Sequence, residues 1–560
     1  MVRRIVNYLN REQGGLHQAA LLLGLSSLAS QVLGLVRDRM LAAEFGAGDM
    51  LDVYYASFRI PDFIFVCVGS FLAITVIIPV LVQKLDSSKE EAKKFLGGML
   101  TFFLATTIVV DVIALLFMPW IAEIIAPGFS SEKTELLIVF SRILLLSPLL
   151  LGMSNLFGAI TQSYKRFLWY AASPVAYNLG IILGVVAFYP VVGPSGLVIG
   201  VVVGAFAHFV LQIPFAVGEG IVPRIFSAID WKELGLVLRK SLPRTLALGS
   251  NQIALMFLVS LASLFAAGSI SVFNLSFNLQ SVPLALIGIS YSVAAFPTIA
   301  GYYARGRLKE FRDCIDESLR HIIFWSLPAV SLFIVLRAQI VRTILGAGEF
   351  DWNDTRLAAA AVAFFSVAVV FQCVVQLFDR AYYSMSMAKR PVIAKLVSSG
   401  FIVLFAYFFT YYYSFFEPAF STVYRLLKVD GISGTEVLVL PIAFTLGMSL
   451  NAIILWIYFV KDLGIKFSNE LYKTIGESLA GSLTIGTVAY FTLNILSQIF
   501  NTHTTFGIFA QGLFSGLLGL FVGIVVLYMG GSRELADISY SIKHKVRGVL
   551  PISPGPENLS

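Results

Sequence analysis

The sequence predicts an all-α polytopic membrane protein with about fourteen transmembrane helices. Three observations predict it. The 560 residues are 58% hydrophobic and only 13% charged, with a mean hydropathy of +0.84, where soluble domains carry about 25% charged residues. Apolar runs of span length, roughly 20 residues, recur along the whole chain. Lys and Arg gather in alternate connections, as expected for a chain that crosses a bilayer repeatedly.

Breaks at Gly, Pro and charge clusters place the spans near 18–44, 52–83, 95–125, 134–162, 167–190, 194–218, 238–265, 269–301, 319–346, 354–386, 391–415, 435–460, 470–499 and 506–530. The first connection, GAGDM, is a glycine turn. KLDSSKEEAKK, SYKRF, YYARGRLKEFRDCIDESLRH, MAKRP and VKDLGIKFSNELYK are rich in positive charge, while PGFSSE, YPVVGPSG, AAGS, GAGEFDWND and NTHTTFG are poor in it. The basic N-terminus (Arg3, Arg4, Arg11) and the tail SIKHKVR belong with the basic set. Both termini are therefore expected on the cytoplasmic side. The stretch IDWKELGLVLRKSLPR reads as an amphipathic segment on that surface.

The net charge of +7 is read as this loop bias and not as a nucleic-acid surface. Cys67, Cys314 and Cys373 form no disulfide framework and no CxxC spacing. No nucleotide loop, GxSxG or HExxH pattern occurs, so a transporter is expected and not an enzyme, with no cofactor and no metal.

The chain repeats itself. Phe58-Arg59 matches Phe277-Asn278 (277 − 58 = 219), Phe129 matches Phe350 (350 − 129 = 221), and Leu156-Phe157 matches Leu377-Phe378 (377 − 156 = 221). An even number of spans separates the copies, so the repeats run parallel, an arrangement that transporters use with substrate between the halves. The expected organisation is a basic N-terminus (1–17), an N-lobe of six spans (18–220), an amphipathic linker (221–243), a C-lobe of six spans (244–460), two further spans (461–531) and a cytoplasmic tail (532–560).

Charges sit in the first two spans: Arg37, Asp38, Arg39, Glu44, Asp52, Arg59 and Asp62. A charge at bilayer depth costs at least about 2.5–3.5 kcal/mol and usually faces a bundle interior or a wet cavity. Two readings stand for Arg37 and Arg39: they line such a cavity, or they snorkel from a helix end to headgroups. Arg59 sits just before Pro61 between long apolar flanks, which favours the cavity.

The motifs VLGLVRD, AAEFGAGDMLDVYYASFRIPD and IPVL resemble the MurJ (MviN) lipid II flippases of the multidrug/oligosaccharidyl-lipid/polysaccharide exporter superfamily. APGFS, LFGAITQSYKRF, LPRTLALGSNQI, AAFPTIAGYYARG and LFDRAYYS with KRPV continue the resemblance to about residue 400. It implies two six-helix lobes around a central cationic cavity, two further helices forming a lipid-facing groove, and a place in the bacterial cytoplasmic membrane. The implied cargo is an undecaprenyl-pyrophosphate-linked disaccharide peptide, with membrane lipids and cell-wall synthesis proteins as further partners. The residues implied to meet it are Arg37, Arg39, Arg59, Asp52 and Asn278. Where the family carries further arginines this chain has Gln31, Phe65, Val66 and Asn278, and Ser70-Phe71 replaces an acidic-glycine pair. Another polyprenyl-linked glycan as cargo, and a non-transporting scaffold of envelope synthesis, therefore stand as alternatives.

Overall fold

A computed structural model describes residues 16–72, 74–464, 468–501 and 504–536. Residues 1–15 of the basic N-terminal segment and residues 537–560 of the expected tail lie outside the described residues. Everything regular among the described residues is helical.

The first expected span is α1 (Leu16–Phe45), and the second is a chain of three helices: α2 (Asp49–Ser57), α3 (Arg59–Gly69) and α4 (Ile74–Ser87). There follow α5 (Lys89–Ile125), α6 (Ser131–Ser163), α7 (Phe167–Val192), α8 (Ser195–Gly218), α9 (Trp231–Ala262), α10 (Ser269–Ala304), α11 (Leu308–Val335), the short α12 (Arg337–Ile344), α13 (Trp352–Ser384), α14 (Lys389–Tyr411), the short α15 (Tyr413–Leu427), α16 (Thr435–Leu463), α17 (Asn469–Leu496) and α18 (Thr505–Met529). Twelve of these are long and apolar enough to cross a membrane. They coincide with the last twelve expected spans. The first two expected spans are also helical: α1 carries the charged stretch Arg37, Asp38 and Arg39 in its second half, and the second span is divided into helices of 9, 11 and 14 residues.

Helix starts follow local chemistry. Ser88 accepts from the Glu91 amide, Ser130 from Lys133, Asp230 from Lys232 and Glu233, Ser468 from Leu471 and Thr504 from Gly507. Each satisfies donors that a first helical turn leaves open. Residues 231–243, expected as a surface segment, are helical and continuous with the span that follows.

The chain clusters into two compact units. The first holds the described residues up to Leu279, with Ile344–Phe364 and Ala388–Asn451. Here α1 packs on α7, α9 packs on α3 and α14, and α7 packs on α8. The last pair meets through glycines: a Cβ on Gly180 would lie 2.2 Å from the Gly204 Cα, and one on Gly200 would lie 2.3 Å from the Gly184 Cα. Small residues let two backbones approach closely where no hydrophobic force separates lipid from protein. A π-helical turn, Gly184–Phe188, and Gly193 at φ +74 close α7 and turn the chain into α8.

The second unit holds Gln280–Thr343, Phe365–Met387 and the described residues from Ala452 on. In it α11 packs on α17, and α17 on α18. After α18, Gly531 at φ +71 reverses the chain, and Glu534 becomes buried. Its carboxylate accepts from Arg320 Nη1 (3.2 Å), Thr474 Oγ1 (2.7 Å) and Ser532 Oγ (3.2 Å).

Candidate functional site

The site is built where α1, α3, α7 and the start of α10 meet within the first unit. Arg37 projects from α1 with its side chain 21% exposed, beside Asp38 at 4%. Arg37 Nε donates to Asp38 Oδ1 at 2.9 Å, and Nη2 approaches the same oxygen at 2.7 Å. Arg37 Nη1 donates to Asn178 Oδ1 at 3.2 Å. Asn178, on α7, is held in that orientation because its Nδ2 donates to Ser30 Oγ (3.1 Å), Ser30 O (3.3 Å) and Pro174 O (3.1 Å). The second oxygen of Asp38 accepts from Asn278 Nδ2 on α10 at 3.0 Å.

Arg59 opens α3, one residue after the helix breaks at Phe58. Its Nη2 donates to Asn274 Oδ1 on α10, and Asn274 Nδ2 donates to Ile270 O at 2.8 Å. Arg59 Nε is buried with no partner. The guanidinium therefore keeps unused donor capacity: its hydrogen bond goes to an amide, with the Asp62 carboxylate, three residues on, close enough to act on its charge. Tyr54 and Tyr55 floor this region, with Tyr54 edge-on to Tyr55 and Phe58 at 5.5 and 5.0 Å. The Tyr55 hydroxyl is buried without a partner.

The structure thus brings Arg37, Asp38 and Asn278 together and turns Arg59 toward the same helix, α10. Asp52 and Arg39 are engaged elsewhere. Asp52 is 3% exposed. It accepts from the amides of Gly268 (2.7 Å) and Ser271 (2.7 Å) and from Ser271 Oγ (2.6 Å). It is an acid placed from a distant helix on the open N-terminus of α10, where unpaired N–H groups and the helix dipole favour a negative charge. The separation of Asp52 and Ser271, 219 residues, equals that of the repeat partners Phe58 and Phe277. Arg39 Nη1 donates to Ile344 O at 3.2 Å. Nearby joints are also backbone-rich: Glu349 N–H donates to Ala43 O (2.9 Å), and Ala47 N–H to Asp354 Oδ2 (3.1 Å).

Sequence reasoning missed Asn178 as a site residue. Its signal was a lone amide inside an apolar span, AYNLG. Asn274 was legible as a candidate polar group within a span. A cavity of about 720 Å³ lies apart from these residues, between α4, α5 and residues 224–230, and is lined by Lys84, Glu90, Lys94, Arg224 and Glu233 among others. Its cations and acids balance, so it presents no excess positive charge, unlike the span that carries Arg37 and Arg39. Among the described residues no group of three His, Cys, Asp or Glu could hold a metal ion.

Chemically, the arrangement offers cations in an apolar span with amides as neutral partners. Arg binds oxyanions through paired N–H donors. The Arg37 guanidinium is paired with Asp38, and the Arg59 guanidinium has an amide as its hydrogen-bond partner with Asp62 acting on its charge.

A family profile described as "Lipid II flippase MurJ" matches residues 41–511. A "Probable lipid II flippase MurJ" of Buchnera aphidicola subsp. Acyrthosiphon pisum is 28% identical over 379 residues, covering 66% of this chain and 74% of that protein. The solved structure "Lipid II flippase MurJ, inward closed conformation" is similar with TM-score 0.72 at 20% identity, covering 92% of this chain and all of that one. Inward-facing and outward-facing structures of a multidrug resistance MATE family transporter are similar with TM-scores 0.63 and 0.56, at 15% and 14% identity. They cover 81% and 80% of this chain and 99% and 96% of theirs. With the profile matched over most of its length, the chain belongs to the lipid II flippase MurJ family.

Proposed function

We propose that this protein is a flippase that moves the lipid-linked peptidoglycan precursor, lipid II, from the inner to the outer leaflet of the bacterial cytoplasmic membrane. The observation that carries the reading is the pair Arg37 and Arg59, held inside a helical membrane protein of this family with amide partners. Pyrophosphate is a dense, doubly charged anion, and the two guanidinium groups replace part of its headgroup hydration. Asp38 occupies Arg37 in the unloaded state and is displaced from it by the substrate. Asn178 and Asn274 hold the cations in place without neutralising them, and Asn278 holds Asp38. The polyprenyl tail stays in lipid. Asp52 and Arg39 act at one remove, by joining the segments that carry the site.

Transport proceeds by alternating access. The repeat of Phe58, Phe129 and Leu156 at Phe277, Phe350 and Leu377 supports two halves, 18–220 and 244–460, as the elements that rearrange. The family structure solved inward-closed, and the inward- and outward-facing MATE structures, support such a cycle. The loop charges support both termini on the cytoplasmic side. A second reading, with another polyprenyl-linked glycan as cargo, is favoured by the neutral Gln31, Phe65, Val66 and Asn278.

The test is complementation in a bacterium depleted of its own lipid II flippase, with lipid II assayed at the outer leaflet. Rescue that is lost in Arg37→Ala and Arg59→Ala supports lipid II as cargo. No rescue by the wild-type chain, with the protein present in the membrane, overturns it.

A further inference from the structure

Arg142 is a charged residue that the proposed transport site does not use. It lies on α6, well inside the span, and its side chain is exposed on the outer face of the helix. Val139 and Leu146, on the same stripe, are exposed apolar residues, so this face of α6 fronts lipid. Long cations near a helix end normally reach outward to headgroups. Arg142 does not. Its Nη2 donates to the carbonyl of Leu115 on α5, at 3.4 Å. Leu115 lies eight residues below Glu123, the polar residue near the end of α5, which is about 12 Å along the helix.

The reason lies four residues on. Position 119 of α5 is proline. In an uninterrupted helix the carbonyl of residue 115 accepts from the N–H of residue 119, and proline has none. At membrane depth no water replaces the missing donor, so a freed carbonyl must find one in the protein. Arg142 provides it.

The two ends of α5 are anchored differently. Below the proline, α5 packs on α3, the helix of Arg59, and Phe103 fills the space over Gly152 of α6, where a Cβ would meet its ring at 1.9 Å. Above it, Ser260 Oγ of α9 donates to Ile124 O at 2.9 Å, and the Gly128 amide donates to Ser263 Oγ at 3.1 Å. α5 therefore belongs to the first repeat by its body and is tied to the first helix of the second repeat by its end. Pro119, which removes a helical hydrogen bond and so favours a kink, lies between those attachments.

We propose that Arg142 is a positioning residue for transport: it holds the bend at Pro119 in one defined geometry by taking the place of the N–H that proline lacks. The proposal rests on the reading of this chain as a flippase. It predicts a specific suppressor. Arg142→Leu leaves the Leu115 carbonyl without a donor. Pro119→Ala restores the helical donor and makes Arg142 unnecessary.

The test uses the full chain in the flippase-depleted bacterium, with wild type as the reference for the transport reading itself. Arg142→Leu is expected to reach the membrane in normal amount and to lower outer-leaflet lipid II about tenfold, and the Arg142→Leu/Pro119→Ala double variant to recover most of it. A second readout does not depend on cargo. Spin labels at Ile108→Cys and Ile124→Cys, two lipid-exposed positions flanking the bend, are placed in a chain whose native cysteines are Ser. The distance distribution should broaden in Arg142→Leu and narrow again in the double variant. Wild-type distances in Arg142→Leu, or failure of Pro119→Ala to restore either readout, overturns the proposal. If wild type itself fails to rescue while the distances behave as stated, the flippase reading fails and the hinge stands.

Discussion

Asp38 and Asn278, 240 positions apart in the chain, share a 3.0 Å hydrogen bond in which the amide donates to the carboxylate oxygen that Arg37 leaves open. One acid thus serves a cation on its own helix and an amide on α10. Replacing Asn278 by Asp sets two carboxylates against each other, and such like-charge contacts are strongly unfavourable where water is scarce. Asn278→Asp is expected to lower transport by about tenfold, the equivalent of roughly 1.4 kcal/mol. The double variant Asp38→Asn/Asn278→Asp again has one acid and one amide. It should recover most of the activity, as measured by outer-leaflet lipid II.

At Arg59 the number and geometry of donors matter more than charge alone. Lysine keeps the charge but offers a point cation in place of a fork. Arg59→Ala should abolish transport, and Arg59→Lys should retain about a tenth of it, since a charge-assisted bond contributes about 1.5–3 kcal/mol. The check is transport normalised to membrane protein. Full activity of Arg59→Lys would show that only charge is read there.

Asp52 predicts a stability effect. Three donors converge on it, and Asp52→Asn turns an NH₂ toward at least one of them. The cost of an unsatisfied buried donor is about 1–3 kcal/mol, so thermal unfolding in detergent should shift down by several degrees. Asp52→Ala should shift it at least as far, because it removes every acceptor.

Glu534 lies beyond the last span and gives a pH signature. Burial pushes its carboxyl up, but bonds from Thr474, its own backbone amide and Ser532 together with the Arg320 charge outweigh that and leave it below the ordinary glutamate value. A carboxyl whose folded value is depressed contributes stability above its unfolded value, and that contribution is lost as pH falls through the folded value. The melting-temperature gap between wild type and Glu534→Gln should be full at neutral pH. It should close only as the pH drops below the usual glutamate range.

The helices were legible because hydropathy reports burial in lipid directly. The last twelve spans agree with the structure for that reason. The first two stand out by their charges, Arg37, Asp38, Arg39 and Arg59, and those charges pointed to the site. The break at Phe58 and the π turns Gly184–Phe188 and Leu284–Ile289 were not legible. They depend on close approaches such as Gly196 against the Phe188 backbone, where a Cβ would meet the Phe188 carbonyl carbon at 2.4 Å. Asn178 was hidden because an amide in a span reads the same whether it braces an arginine or bridges two helices. The partners of Asp52 were hidden for another reason: two of its three donors are backbone amides, which leave no trace in side-chain patterns.

The bond between Asp52 and Ser271 has a consequence for how such a protein can arise. In the repeat read from the sequence, residues 219 apart, like Phe58 and Phe277, take the same place in the two copies, and here such a pair touches. In an assembly of two identical subunits, that place would face itself across the twofold axis. Two aspartates would repel there, and two serines would supply no charge for the helix end. A donor facing an acceptor at such a point requires the two copies to differ. Fusion into one chain is what permits that difference. A version of this protein rebuilt from two identical halves would lose this bond however faithfully each half folded.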